Sequence, residues 1–100
     1  MIQRRLEMSQ AVRNLITHLP PELKRKVRTA FRAIAADPHQ AKELKDELVG
    51  LRSYRMGNAR IIFQLTGQLV EVIAFGPRRD IYERAAAELN ALLQKKNGEE

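Results

Sequence analysis

The chain has 100 residues, 44% of them hydrophobic, and carries 18 lysines and arginines against 12 aspartates and glutamates. That composition predicts one globular domain over residues 1–100 with a modest core, and the formal charge of +6 favours an anionic partner. Without cysteine, disulfides and thiolate metal sites are excluded; no apolar run nears the roughly 20 residues of a membrane span, and the start MIQRRLEMSQ lacks the apolar stretch of a signal peptide, so a cytoplasmic protein without membrane association is expected.

Residues 3–8 predict a short edge strand. Ser9 suits the N-cap of a helix reaching about Leu19, with Val12, Leu15, Ile16 and Leu19 as its apolar stripe. Pro20-Pro21 ends that helix and starts a second one, which runs to about Ala36 with Leu23, Val27, Ala30, Phe31 and Ile34 on one face. Asp37-Pro38 stops it. Residues 39–50 are polar and irregular, with room for one helical turn around 41–48.

From Leu51 the apolar period shifts toward two. Gly57-Asn58 and Gly67-Gln68 are two-residue hairpin signals, which gives antiparallel strands at about 51–56, 59–65 and 69–75. Asp80 then caps a final helix with Glu83 in capping-box position, and Ile81, Ala85, Leu89, Leu92 and Leu93 form its stripe. The fold class expected is α+β: an N-terminal helical hairpin packed on an antiparallel four-stranded sheet, plus a C-terminal helix.

The loop lengths fix a register. The first hairpin puts Met56 opposite Ala59, Arg55 opposite Arg60, Tyr54 opposite Ile61 and Ser53 opposite Ile62. The second puts Thr66 opposite Leu69, Gln64 opposite Glu71, Ile62 opposite Ile73 and Arg60 opposite Phe75. Alternation then assigns Tyr54, Met56, Ile61, Phe63, Leu65, Val70, Val72 and Ala74 to the face beneath the helices. Ser53, Arg55, Arg60, Ile62, Gln64, Glu71, Ile73 and Phe75 fall on a mixed, partly open face.

Arginines opposed across two strands repel. Arg55 and Arg60 either splay into solvent, toward a carboxylate such as Glu71, or await an anion. Arg78 and Arg79, which follow Gly76-Pro77, leave the strand end beside them. Converging guanidinium forks match phosphate. Tyr82 either packs the last helix on the sheet or offers a stacking ring or a proton-transfer group near that phosphate. Phe75 reads as core under the final helix rather than a stacking platform, and His18 and His39 as surface residues. The basic stripe Lys24, Arg25, Lys26, Arg28 and Arg32 reads equally as a solvated helix face or a binding surface.

The run Asp37-Pro38, Lys42-Glu43-Leu44-Lys45, Gly50-Leu51, Tyr54-Arg55-Met56-Gly57, Arg60-Ile61-Ile62-Phe63 and Gly76-Pro77-Arg78-Arg79-Asp80-Ile81-Tyr82 resembles the RelE/ParE toxin superfamily over nearly the whole chain. The resemblance implies the toxin of a type II toxin–antitoxin module. In its RelE branch it implies a metal-independent, cofactor-free endoribonuclease that cuts mRNA in the ribosomal A site, inhibits translation, arrests growth and is neutralised by a cognate antitoxin with an acidic segment. Carried over by motif, Arg60, Arg78 and Tyr82 are the catalytic set: both arginines contact the scissile phosphate, Arg78 assists the leaving group and Tyr82 stacks on or orients the nucleotide. Arg55, Arg79 and Arg52 are the expected RNA-phosphate contacts, although simple alternation turns Arg52 to the opposite face unless a bulge intervenes.

Ser53 stands where such toxins often carry a basic residue, so the general base is unassigned. Two other functions fit the same resemblance. One is a ParE-like inhibitor of DNA gyrase. The other is a non-catalytic nucleic-acid-binding or regulatory member of the superfamily.

Overall fold

The computed structural model describes residues 4–77, 81 and 85–87. Among them the chain forms strand β1 (Arg5–Met8), helices α1 (Gln10–Thr17) and α2 (Pro21–Ala36), then strands β2 (Lys42–Glu43), β3 (Leu51–Met56), β4 (Ala59–Thr66) and β5 (Leu69–Pro77). The expected α+β class holds, with a helical hairpin on a sheet. The sheet has five strands rather than four, in the order β1-β5-β4-β3-β2, and it is mixed, because β1 runs parallel to β5.

The helix boundaries follow from local chemistry. The Ser9 side chain accepts from the Val12 N–H at 3.2 Å, satisfying one of the donors that open α1. Helix α1 stops at Thr17, two residues before the expected Leu19, as the His18 N–H returns to the carbonyls of Asn14 and Leu15. Pro21 opens α2, where a missing N–H costs nothing. At the other end the Arg4 guanidinium donates to the carbonyls of Ala35 and Ala36 at 3.5 and 3.4 Å. A cation there also complements the helix dipole.

The segment expected to be irregular contains two short 3₁₀ turns, Pro38–Gln40 and Asp46–Leu48, with β2 between them. Both hairpin loops place glycine first, Gly57 at φ 59° and Gly67 at φ 60°. That left-handed position is what a type II′ turn requires of its first residue, and its twist matches the flanking strands. The register of the first hairpin is the expected one at every pair.

The second hairpin departs from expectation midway. Thr66 faces Leu69 and Gln64 faces Glu71 as expected, but Phe63 pairs with Val72 and Ile62 with Ala74. Ile73 is therefore the extra residue of a β-bulge. Beyond it the alternation is reversed: Arg60 faces Gly76, not Phe75. Phe75 turns to the helix side and Ala74 to the other.

Two cores result. The larger lies between the helical hairpin and the sheet and joins Val12, Val27, Ala30 and Ile34 to Ile61, Phe63, Val70, Val72 and Phe75. The smaller lies on the face expected to be partly open. There Leu51, Ile62, Ile73 and Ala74 are buried with Ile81 and Ala85, flanked by Leu44 and Leu48. Ile81 and Ala85 are both helical and both buried against this face. The remaining stripe residues of the final helix, Leu89, Leu92 and Leu93, fall outside the described residues, as does Glu83. No helix among the described residues is long and apolar enough to cross a membrane.

Candidate nucleic-acid interface

The smaller core covers only part of its sheet face. Toward the β3–β4 turn the face ends in arginines. Arg55, at the end of β3, is exposed, and Arg60, at the start of β4, is half-buried. They are direct cross-strand partners, so their side chains leave the same face side by side. Neither makes an ion pair or hydrogen bond among the described residues. Glu71 does not reach them. It lies opposite Gln64, four residues from Arg60 along the sheet, or roughly 13 Å.

An opposed, unpaired arginine couple is unfavourable in the free protein. A bound anion removes the penalty, and two guanidinium forks offer more parallel N–H donors than one phosphate oxygen pair can use. The bulge adds to the accessibility of this corner. By placing Gly76 rather than Phe75 across from Arg60, it leaves no side chain beside that guanidinium on the β5 side.

Phe75 is only 8% exposed, in the larger core. It is core as expected, but under the helical hairpin and not under the final helix. His18 and His39 are exposed in the other half of the chain. Among the described residues no three His, Asp or Glu side chains gather as a metal site.

Arg52 goes elsewhere. It sits on the helix-side face, where its guanidinium meets the Glu43 carboxylate at 2.8 Å and donates to the Ala41 carbonyl at 3.1 Å. Its side chain is 16% exposed and that of Glu43 75%. Expected among the phosphate contacts, it instead ties strand β2 to β3, and no bulge in β3 brings it round to Arg55. The bulge that does occur is in β5.

Arg78, Arg79 and Tyr82 lie outside the described residues. Pro77, which precedes Arg78 in the chain, pairs with Ala59, the neighbour of Arg60. Ser53, between Leu51 and Arg55 on the site face, is 3% exposed, and its hydroxyl has no hydrogen-bond partner. A buried unpartnered hydroxyl is a cost, not a charge source, so the general base remains unassigned by this strand.

At the same corner but on the helix side, a groove of about 510 Å³ opens between α2 and the β3–β4 turn. Leu19, Leu23, Met56 and Ala59 give it apolar walls, and Lys26 stands among its lining residues. Leu23, expected in the helix stripe, is one of the few large apolar side chains left exposed among the described residues.

Three solved structures share this fold. The RelBE2 toxin–antitoxin complex of Mycobacterium tuberculosis aligns with a TM-score of 0.68 at 23% identity, over 77% of this chain and 100% of that one. The archaeal RelE–RelB complex of Pyrococcus horikoshii aligns with a TM-score of 0.63 at 19% identity, over 78% and 98%. A substituted form of the Escherichia coli toxin RelE in its free state aligns with a TM-score of 0.70 at 14% identity, over 86% and 97%. No curated protein sequence matches the chain. The family model described as the ParE toxin of type II toxin–antitoxin systems matches residues 7–82. That span runs from β1 through the arginine corner, and the chain accordingly belongs to the ParE toxin family of type II toxin–antitoxin systems, within the RelE/ParE superfamily.

Proposed function

We propose that this toxin is a ribosome-dependent endoribonuclease that cleaves mRNA in the cytoplasm. The observation that carries the reading is the opposed Arg55–Arg60 couple, unpaired among the described residues, on an accessible sheet corner. In the reaction, the ribose 2′-oxygen attacks the adjacent phosphorus and its proton leaves to a base. The bond to the 5′-oxygen breaks and that oxygen takes up a proton. The products are a 2′,3′-cyclic phosphate and a 5′-hydroxyl. Negative charge grows on the non-bridging oxygens, where Arg60 and Arg78 act, with Arg55 and Arg79 adding positive field. Arg78 assists the leaving oxygen and Tyr82 holds the nucleotide. Arginine at its ordinary pKa is a poor proton carrier, so orientation and charge stabilisation supply most of the rate. Cleavage of free RNA is correspondingly weak, and the ribosome completes the geometry. No metal takes part.

The partner that restrains it is a cognate antitoxin with an acidic segment. Two of the similar structures are toxin–antitoxin complexes, and the apolar groove with Lys26 beside the arginine corner suits an amphipathic acidic segment. Induced expression with primer-extension mapping of mRNA tests the reading. Wild type gives discrete cuts within translated regions, and Arg60→Ala gives none while still binding antitoxin. Growth arrest at wild-type strength by both Arg60→Ala and Arg78→Ala overturns it.

A second reading, inhibition of DNA gyrase by protein contact, is favoured by the ParE description of the matching family model. Accumulated DNA breaks with intact mRNA on induction select it.

A further inference from the structure

Strand β2 is only two residues long, yet its register is unambiguous. Lys42 pairs with Ser53, and Glu43 pairs with Arg52. The Glu43–Arg52 ion pair and the Arg52–Ala41 hydrogen bond hold it on the helix side. Successive strand residues point to opposite faces, so Lys42 belongs to the other face, with Ser53, Arg55 and Arg60. One row of that face reads Lys42–Ser53–Ile62 and the next Arg55–Arg60–Gly76. Direct cross-strand Cβ atoms lie about 5 Å apart and diagonal ones about 7 Å, within the reach of a lysine stem.

Three further observations bear on Lys42. It is exposed. It has no ion pair or hydrogen bond among the described residues. Its cross-strand neighbour, Ser53, is a buried, unpartnered hydroxyl at the one position on the row that could have carried a cation on β3 itself. We propose that Lys42 is a further phosphate-binding residue of this interface, supplying from the edge strand the positive charge that position 53 lacks. Its ligand is an RNA backbone phosphate next to the one held by Arg55 and Arg60. An ammonium is a compact point charge that needs no bidentate alignment, so it suits a flanking phosphate rather than the reacting one. Arg52 then acts as a positioning residue: from the far side of the sheet it sets the register that turns Lys42 to the site.

This rests on reading the face as an RNA-phosphate site, and the test separates the two. A single-stranded RNA made uncleavable by 2′-O-methylation is titrated with the full chain over a range of salt concentrations. The variants are Lys42→Ala, Lys42→Arg, Arg60→Ala and, from the solvated face of α2, Arg25→Ala. For single strands each phosphate contact contributes about 0.7 to the slope of log K against log salt. Lys42→Ala and Arg60→Ala are each expected to lower the slope by about that amount, Lys42→Arg to retain it and Arg25→Ala to leave it unchanged. If Arg60→Ala lowers the slope and Lys42→Ala does not, or if Arg25→Ala lowers it as much as Lys42→Ala, Lys42 is no site residue while the face still binds phosphate. If wild type binds no RNA, or Arg60→Ala has no effect, the reading of the face falls and Lys42 falls with it.

Discussion

The two faces of the sheet solve different problems with similar strands. The helix-side face is apolar over its centre and closed by α1 and α2, and the charge at its edge, Arg52, is paired with Glu43. The opposite face begins the same way, under Ile81 and Ala85, but ends in Arg55 opposite Arg60 and a buried Ser53 hydroxyl without a partner. The first face stabilises the protein; the second also holds interactions that cost stability in the free protein. Local departures from good packing are therefore informative when they gather at one corner, as they do here.

The largest effect expected is on the first face. Phe63 is fully buried at its centre, so Phe63→Ala should lose about 3–5 kcal/mol, read as a large fall in the chemical-denaturation midpoint. Next comes Arg60→Ala. Removing one transition-state charge contact typically costs about 10²–10³ in rate, so mRNA cleavage on translating ribosomes should drop by that order while the denaturation midpoint does not fall. A joint loss of fold and activity would erase the division between the faces. Ser53→Ala should be neutral or raise stability by about 1 kcal/mol, because an unpartnered hydroxyl leaves the core; a clear destabilisation would mean that the hydroxyl has a partner after all. The smallest effect is that of Arg55→Ala, which relieves a like-charge pair worth about 0.2–1 kcal/mol. Its melting temperature should rise slightly, and the gain should shrink in high salt as the repulsion is screened.

Much of this division was legible in the chain. Two glycine-led loops of two residues fix strand pairing without any tertiary information, which is why Arg55 and Arg60 could be placed opposite each other from sequence. The bulge could not be read. In the run Val70 to Phe75 the alternation fades at Ile73-Ala74-Phe75, because both faces are buried there and no polar residue marks the phase. The second core was hidden for the same reason, since Ile62 and Ile73 looked like apolar exceptions on a mixed face. Strand β2 was invisible because Lys42 and Glu43 have poor strand propensity. The strand is held through Glu43 and the Ala41 carbonyl by the Arg52 guanidinium, nine and eleven residues on in the chain. With β2 went Lys42, whose relation to the arginines exists only in the folded sheet. The residue type at position 53 marks a missing charge, but its burial depends on the second core and is set only in the fold.

The bulge at Ile73 also bears on what changes the chain can survive. A substitution there alters one side chain in the smaller core. A one-residue deletion at Ile73 does something subtler: it would bring β5 back into simple alternation with β4 and leave Ala74 facing Ile62, Phe75 facing Ile61 and Gly76 facing Arg60, as they do now. Smoothing the bulge without losing a residue is the damaging change: Phe75 would swing out beside Arg60 and Ala74 would take its place on the helix side. Inside and outside would exchange over the last pleat before Pro77. The bulge thus absorbs one surplus residue and keeps the phase of β5, so a strand shortened at Ile73 should lose some packing of the smaller core and retain the open corner.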